Sequence, residues 1–249
     1  MAHIERNKYL DELVSLRHNG MIKVITGMRR CGKSYLLFEI FASWLENEGI
    51  ASDHIIKVDL EDYKNREMRN PDNLYAYMES RIADDAMYYL LLDEVQMLDK
   101  FEDVLNGFLR MRNVDVYVTG SNAKFLSKDI ATEFRGRGFE VKMYPLSFGE
   151  YMSVYPGSIQ AGFNEYMLYG GLPQILSYNT EEQKAKFLKS LFDETYIKDI
   201  KDRYRFWFKS PPAMTAKESD ISTPRTNITS WIWDCATPAS ISVNQKGVI

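Results

Sequence analysis

The chain has 249 residues, enough for one large domain or for one domain with a smaller companion. Its 45% hydrophobic and 27% charged residues are typical of a soluble globular protein, and a net charge of −4 excludes a general attraction to nucleic acid or membranes. Two cysteines exclude a disulfide framework, and the longest apolar run falls far short of the ~20 residues of a membrane span, which predicts a soluble cytoplasmic protein without a signal peptide.

Helical and strand patterns alternate along the first part of the chain. Apolar residues spaced three and four apart predict helices over 5–17, 33–44, 71–82 and 101–111. Short apolar runs between them predict strands over 22–26, 54–60, 88–92, 114–119 and 139–143. Strands that alternate with helices indicate a doubly wound α/β sheet.

The pattern becomes helical after Pro145. Helices are predicted over 147–151, 163–169 and 181–203, with a glycine turn at 170–173. At about Phe206 the composition changes, because the last 44 residues contain no leucine or tyrosine and four of the eight prolines. We therefore expect a core at 1–145, a helical region at 146–205 and an atypical tail, disordered or truncated, at 206–249.

Residues 27–34, GMRRCGKS, match the phosphate-binding pattern G-x-x-x-x-G-K-[ST] at every position. The motif follows an apolar strand and opens a helix, where the backbone N–H groups of such a loop converge on a phosphate. Lys33 is expected to reach the β- and γ-phosphates, and the Ser34 hydroxyl to bind Mg²⁺. The predicted ATP-binding residues are Gly27, Met28, Arg29, Arg30, Cys31, Gly32, Lys33 and Ser34.

An acidic pair, Asp93 and Glu94, follows the apolar strand at 88–92. At the carboxyl end of a parallel strand Asp93 would hold Mg²⁺, directly or through water. Glu94 is placed to orient and deprotonate the attacking water. The alternative is a pair of solvated carboxylates at the start of a loop, which the neighbouring phosphate-binding motif makes the minority interpretation.

Two further segments contain candidate residues for the transition state. Ser121 and Asn122 follow the strand at 114–119 and can face the γ-phosphate or the water, although they also suit an ordinary turn. Arg137, preferred over Arg135, can act as an arginine finger on the nucleotide of a neighbouring subunit. A basic surface turn or a contact with a nucleic-acid backbone is the alternative for this arginine.

Together these motifs resemble a prokaryotic family of AAA-type ATPases whose members usually carry a carboxy-terminal region called DUF4143. The segments that carry the resemblance are IKVITGMRRCGKS at 22–34, LLLDEVQ at 90–96, VTGSNAKFL at 118–126, residues 135–137, PLSFGEY at 145–151 and GGLP at 170–173. The resemblance covers residues 3–205. It implies a P-loop NTPase core with strand order 5-1-4-3-2 and a small helical region, and it assigns the sensor position to Ser121 and Asn122 and the finger to Arg137.

The leading functional hypothesis is an ATPase that binds Mg·ATP at 27–34 and Asp93, activates water with Glu94 and couples turnover to a conformational change. A homo-oligomer would let Arg137 act in trans, while a protein or nucleic-acid partner stays unknown. The alternatives are a nucleotide-gated binding module with negligible turnover and a small-molecule P-loop kinase, in which Glu94 has no obvious role. A GTPase is disfavoured because no N-K-x-D motif is present.

Overall fold

The computed structural model of the protein describes residues 4–120, residue 134 and residues 136–193. Ser121, Asn122, Arg135 and the predicted tail at 206–249 therefore lie outside the described residues. Within the described ranges, no helix combines the length and the apolar character that crossing a membrane requires.

Five parallel strands form one sheet. They are β1 (Ile22–Thr26), β2 (Ile55–Asp59), β3 (Tyr88–Asp93), β4 (Val114–Gly120) and β5 (Gly138–Lys142). Their order is β2-β3-β4-β1-β5, which is the predicted order 5-1-4-3-2 read from the opposite edge. Each predicted strand lies within one residue of its observed ends, and because all pairs are parallel, the carboxyl ends of the strands share one edge.

Helices cover both faces of this sheet. One face carries α1 (Asn7–Ser15) and α2, a continuous helix built from the segments Lys33–Tyr35, Leu36–Phe41 and Ala42–Asn47, of which the middle one is π-helical. The other face carries α3 (Pro71–Arg81) and α4 (Phe101–Phe108). Neighbouring strand residues point to opposite faces. Leu90 therefore packs against α3 and α4, whereas Tyr89 and Leu91 pack against α1 and α2.

The described residues that follow Pro145 are helical. They form α5 (Phe148–Met152), α6 (Ile159–Tyr169), a 3-10 turn (Pro173–Ser177) and α7 (Glu181–Leu191). The α6 helix begins four residues before its predicted start because the Ser158 hydroxyl caps it, accepting a hydrogen bond from the Ala161 N–H. The last part of the predicted helix 181–203 lies outside the described residues.

A short connection after β5 ties this helical region to the core. The buried Arg6 side chain donates to the Tyr144 carbonyl at 2.6 Å, and the Tyr144 N–H donates to the Tyr9 hydroxyl at 3.1 Å. Two residues later, the Leu146 N–H donates to the Gly171 carbonyl at 2.7 Å. A Cβ atom on Gly171 would lie 2.2 Å from the Leu146 oxygen, so only glycine permits this approach. The turn at 170–173 is thereby fixed beside the end of β5.

Candidate nucleotide-binding site

The loop between β1 and α2 has the backbone shape of an anion cradle. Three of its residues have positive φ: Gly27 at 153°, Arg30 at 65° and Gly32 at 100°. Left-handed residues in a tight loop turn successive N–H groups toward a common centre, and the amino end of α2 adds its positive dipole there. Of these three residues, only Arg30 has a side chain, and a side chain makes the left-handed backbone conformation energetically unfavourable.

Lys33 holds its charge inside this loop. Its side chain is only 4% exposed. The ammonium group donates to the carbonyls of Gly27 and Met28, both at 3.1 Å. The loop's own carbonyls thus keep the lysine beside the cradle, where a phosphate oxygen would be a stronger, charge-assisted partner.

The Ser34 hydroxyl donates a hydrogen bond to Asp93 Oδ2 at 2.7 Å, and the Thr119 hydroxyl donates to the other oxygen of the same carboxylate. The two parallel strands β3 and β4 end side by side, which brings Asp93 and Thr119 together. Asp93 is 3% exposed. Burial raises the pKa of its carboxyl group, while the hydrogen bonds from Thr119 and Ser34 act in the opposite direction.

These oxygen atoms fit a magnesium ion. Mg²⁺ prefers oxygen ligands and is usually bound by one or two protein groups together with water and substrate phosphates, rather than by an all-protein cage. The Ser34 hydroxyl and the Asp93 carboxylate supply such a pair. Among the residues that the structure describes, no group of three or more His, Cys, Asp and Glu side chains is arranged to hold a metal ion.

Glu94 is held in a fixed position next to this pair. Its backbone is left-handed, with φ 52°, and its N–H donates to the Thr119 hydroxyl at 3.0 Å. The side-chain amide of Gln96 donates to Glu94 Oε2. Sequence reasoning did not single out Thr119 and Gln96 as site residues. Their only sequence signal was their place within the segments at 118–126 and 90–96.

A cavity of about 450 Å³ lies over the loop. It is lined by Arg29, Arg30, Gly32, Lys33, Ser34, Tyr35, Glu61, Glu94, Pro173 and Gln174. A larger cavity of about 1010 Å³ borders Tyr9 and the 144–147 connection, and no residue of the 27–34 loop lines it. Of these two cavities, the smaller contains the cradle and Glu94, which makes it the candidate nucleotide site.

Cys31 points away from the cavity. Its thiol is fully buried, and its sulfur lies 3.9 Å from the Met143 carbonyl oxygen. Burial raises the pKa of this thiol, and the nearby Lys33 charge only partly offsets that effect. A disfavoured thiolate reacts slowly with oxidants, which favours the interpretation of Cys31 as a small packing side chain.

Arg137 lies at the amino ends of the strands, whereas the loop lies at their carboxyl ends. Its carbonyl accepts a 2.8 Å hydrogen bond from the Ile22 N–H, so it precedes β5 beside the amino end of β1. Its guanidinium is exposed and donates to Asn106 Oδ1 at 3.4 Å. A five-residue strand spans roughly 16 Å at about 3.3 Å per residue. Of the predicted residues, the fold therefore brings the 27–34 loop, Asp93 and Glu94 together, and it leaves Arg137 apart.

A family model described as an AAA domain matches residues 19–152, more than half of the chain. An uncharacterized protein of Haemophilus influenzae is 32% identical over 208 residues, covering 81% of this chain and 52% of that protein. An uncharacterized protein of Methanocaldococcus jannaschii is 29% identical over 195 residues, covering 74% of this chain and 42% of that protein. The chain thus spans about half, or less, of the length of these curated relatives.

Solved structures share the fold. A Walker-type ATPase of Pyrococcus abyssi superposes with a TM-score of 0.52 at 16% identity, covering 84% of this chain and 77% of that one. The Hsp104–ADP complex of Saccharomyces cerevisiae has a TM-score of 0.50 at 13% identity, covering 83% of this chain and 34% of that one. At these identities the likeness extends to the P-loop fold, with its five-stranded parallel sheet and flanking helices.

Proposed function

The chain belongs to the AAA domain family, and we propose on that footing that it is an ATPase that binds Mg·ATP and hydrolyses it to ADP and phosphate. The observation that carries this proposal is the 2.7 Å hydrogen bond between Ser34 and Asp93. It joins the phosphate-binding loop to the end of β3 at the point where Glu94 begins its turn. Two separate sequence signals, the loop at 27–34 and the acidic pair at 93–94, thereby meet at one cavity.

Phosphate binding is the work of the loop. The N–H groups of its left-handed turns and the amino end of α2 would surround the β-phosphate. Lys33 would exchange the carbonyls of Gly27 and Met28 for phosphate oxygens. Ser34 and Asp93 would hold Mg²⁺, which neutralises charge on the β- and γ-phosphate oxygens when bound.

Water activation falls to Glu94. Its carboxylate lines the cavity and is oriented by Gln96, so it can accept a proton from a water molecule placed against the γ-phosphate. The water oxygen forms a bond to the γ-phosphorus while the bond from that phosphorus to the bridging oxygen breaks. ADP and inorganic phosphate leave, and Glu94 returns its proton to solvent. A kinase would require an acceptor hydroxyl where this water lies.

Turnover would be coupled to a conformational change on a partner, and Arg137 would complete the site of a neighbouring subunit in a homo-oligomer. Its position at the far edge of the sheet supports action in trans, because the arginine is exposed and its own loop is a strand length away.

The test is phosphate release from Mg·ATP by the wild-type protein and by Glu94→Gln, with the ATP affinity of both measured by calorimetry. We expect release by the wild type, a loss of at least about 100-fold in Glu94→Gln, as is typical for general-base removal, and ATP affinity unchanged within about threefold. Glu79→Gln, which neutralises an exposed carboxylate on α3, is the matched control and should behave as the wild type. Tight binding without release by the wild type would replace the ATPase with a nucleotide-gated binding module.

A further inference from the structure

One contact across the nucleotide cavity is not explained by phosphate binding alone. The Arg30 guanidinium donates to Gln174 Oε1 at 2.7 Å, although the two residues lie 144 positions apart in the chain. The same guanidinium lies over the Phe187 ring, 5.4 Å from its centroid. A residue of the phosphate-binding loop is therefore held by two elements of the helical region, the 3-10 turn and α7.

Gln174 presents its oxygen to Arg30 in a defined way. Its amide nitrogen donates to the Tyr178 hydroxyl at 3.4 Å, which leaves the carbonyl oxygen facing the guanidinium. The turn that carries Gln174 follows Gly171, whose position is fixed by its bond to Leu146. Gln174 is thus part of a firmly placed element, whereas Arg30 is exposed and sits on the strained loop.

Arg30 has a stronger partner available whenever the loop holds a phosphate. The bond from the guanidinium to Gln174 has one charged partner, whereas a phosphate adds the opposite charge and can accept two parallel hydrogen bonds, which makes the phosphate the stronger partner. Arg30 and Gln174 both line the cavity over the loop, so the guanidinium can reach an anion there by changing its side-chain rotamer. Because the anion is reached only by a change of rotamer, a guanidinium that moves to the phosphate leaves the Gln174 oxygen.

We infer that Arg30, Gln174 and Phe187 form a nucleotide-responsive latch, in which Gln174 is a positioning residue that competes with ATP for Arg30. This inference rests on the proposed function. With the loop free of phosphate, the arginine fastens the 3-10 turn and α7 to the loop. When ATP arrives, the guanidinium turns to the phosphates and both elements lose that contact. Since binding and latch exclude each other, each weakens the other by the same factor.

The latch makes an unusual prediction: removing Gln174 improves ATP binding. A mutation that only damages the site would weaken binding, so the direction of the effect separates the two explanations. We expect Gln174→Ala to tighten ATP binding about 2- to 10-fold, the range that corresponds to one net hydrogen bond. Gln174→Glu should weaken binding by at least as much, because it replaces the amide with a charged partner for Arg30.

The experiment is calorimetric titration with Mg·ATP, in proteins that all carry Glu94→Gln so that ATP is not consumed. The set comprises the parent, Gln174→Ala, Gln174→Glu, Arg30→Ala and the combinations of Arg30→Ala with each Gln174 change. In the Arg30→Ala background we expect Gln174→Ala to shift affinity by less than about twofold, the signature of a coupled pair. If Gln174→Glu still weakens ATP binding in the Arg30→Ala background, the remaining effect measures direct repulsion between the new carboxylate and ATP. Gln160→Ala, an exposed glutamine on α6, is the control.

Unchanged or weaker ATP binding in Gln174→Ala would overturn the latch, and so would an equal effect with and without Arg30. If the parent binds no ATP, the proposed function itself fails. If the parent binds ATP but substitutions of Gln174 leave the affinity unchanged, only the latch fails.

Discussion

Ser34 and Asp93 belong to separate motifs, yet a 2.7 Å hydrogen bond joins them, and it uses a carboxylate that is 3% exposed. Burial raises the pKa of Asp93 above its ordinary value of 3.8, so the folded protein holds this proton more tightly than the unfolded chain does. The charged form therefore costs stability near neutral pH. This loss of stability is absent at a pH below the pKa of Asp93 in the unfolded chain, and it grows as the pH rises through the raised pKa of Asp93 in the folded protein.

Asp93→Asn should accordingly stabilise the protein without ligand. Asparagine stays neutral and can still form hydrogen bonds with the two hydroxyl groups. We therefore expect the free energy of unfolding to rise by about 0.5–2 kcal/mol near neutral pH, the usual range for a single stabilising substitution. Urea denaturation at a series of pH values measures it, and the gain should shrink as the pH falls toward 3.8. Mg·ATP should raise the melting temperature of the wild type and not of the variant. A variant less stable than the wild type near neutral pH would contradict this account.

Lys33→Ala should abolish ATP binding. The ammonium group is the buried cation of the loop, and losing its charge-assisted bonds to phosphate, about 1.5–3 kcal/mol for a typical bond, should weaken ATP by at least about 100-fold. Calorimetry measures the affinity. Lys57→Ala is a matched control, because Lys57 also donates to a backbone carbonyl, that of Phe38 at 2.9 Å, but lies away from the cavity. Micromolar affinity retained in Lys33→Ala would remove the phosphate-binding role.

Gly27→Ala should damage both the fold and the site. An added Cβ would lie 2.3 Å from the Met143 carbonyl oxygen, a backbone atom that cannot swing aside. We expect a loss of about 1–3 kcal/mol in the free energy of unfolding, as for other overpacked sites, together with weaker ATP binding. Urea denaturation and calorimetry measure the two effects. Gly149→Ala is the control, since its Cβ would meet no atom within 4 Å. Equal stability of Gly27→Ala and the wild type would refute the close approach.

The sequence predicted the local parts of this site better than their connections. Apolar runs located each strand, and the glycine spacing identified the loop, because both depend on neighbouring residues. Thr119 looked like an ordinary strand end until the pairing of β3 with β4 placed it against Asp93. The Arg30–Gln174 contact spans 144 positions, and only the packing of the helical region beside the loop creates it. Long-range pairing of this kind leaves no periodic signal in the chain.

Arg137→Ala should reduce turnover while preserving ATP affinity. The arginine lies a strand length from its own loop, so its loss should remove transition-state stabilisation from a neighbouring site and slow phosphate release by at least about tenfold. Its hydrogen bond to Asn106 is exposed, and the free energy of unfolding should change by less than about 0.5 kcal/mol. Arg110→Ala, an exposed arginine that follows α4, is the control.

Mixing decides whether the arginine acts in trans. Arg137→Ala subunits keep Glu94, and Glu94→Gln subunits keep Arg137, so a mixed oligomer contains interfaces in which both groups are intact. We expect the mixture to release phosphate faster than the sum of the two variants measured alone, with a rate that rises with total protein concentration. Two results together would contradict action in trans: a mixture that shows only the summed rates, and a wild-type specific activity that does not depend on protein concentration. Arg137 would then be a surface residue, and each subunit would hydrolyse ATP by itself.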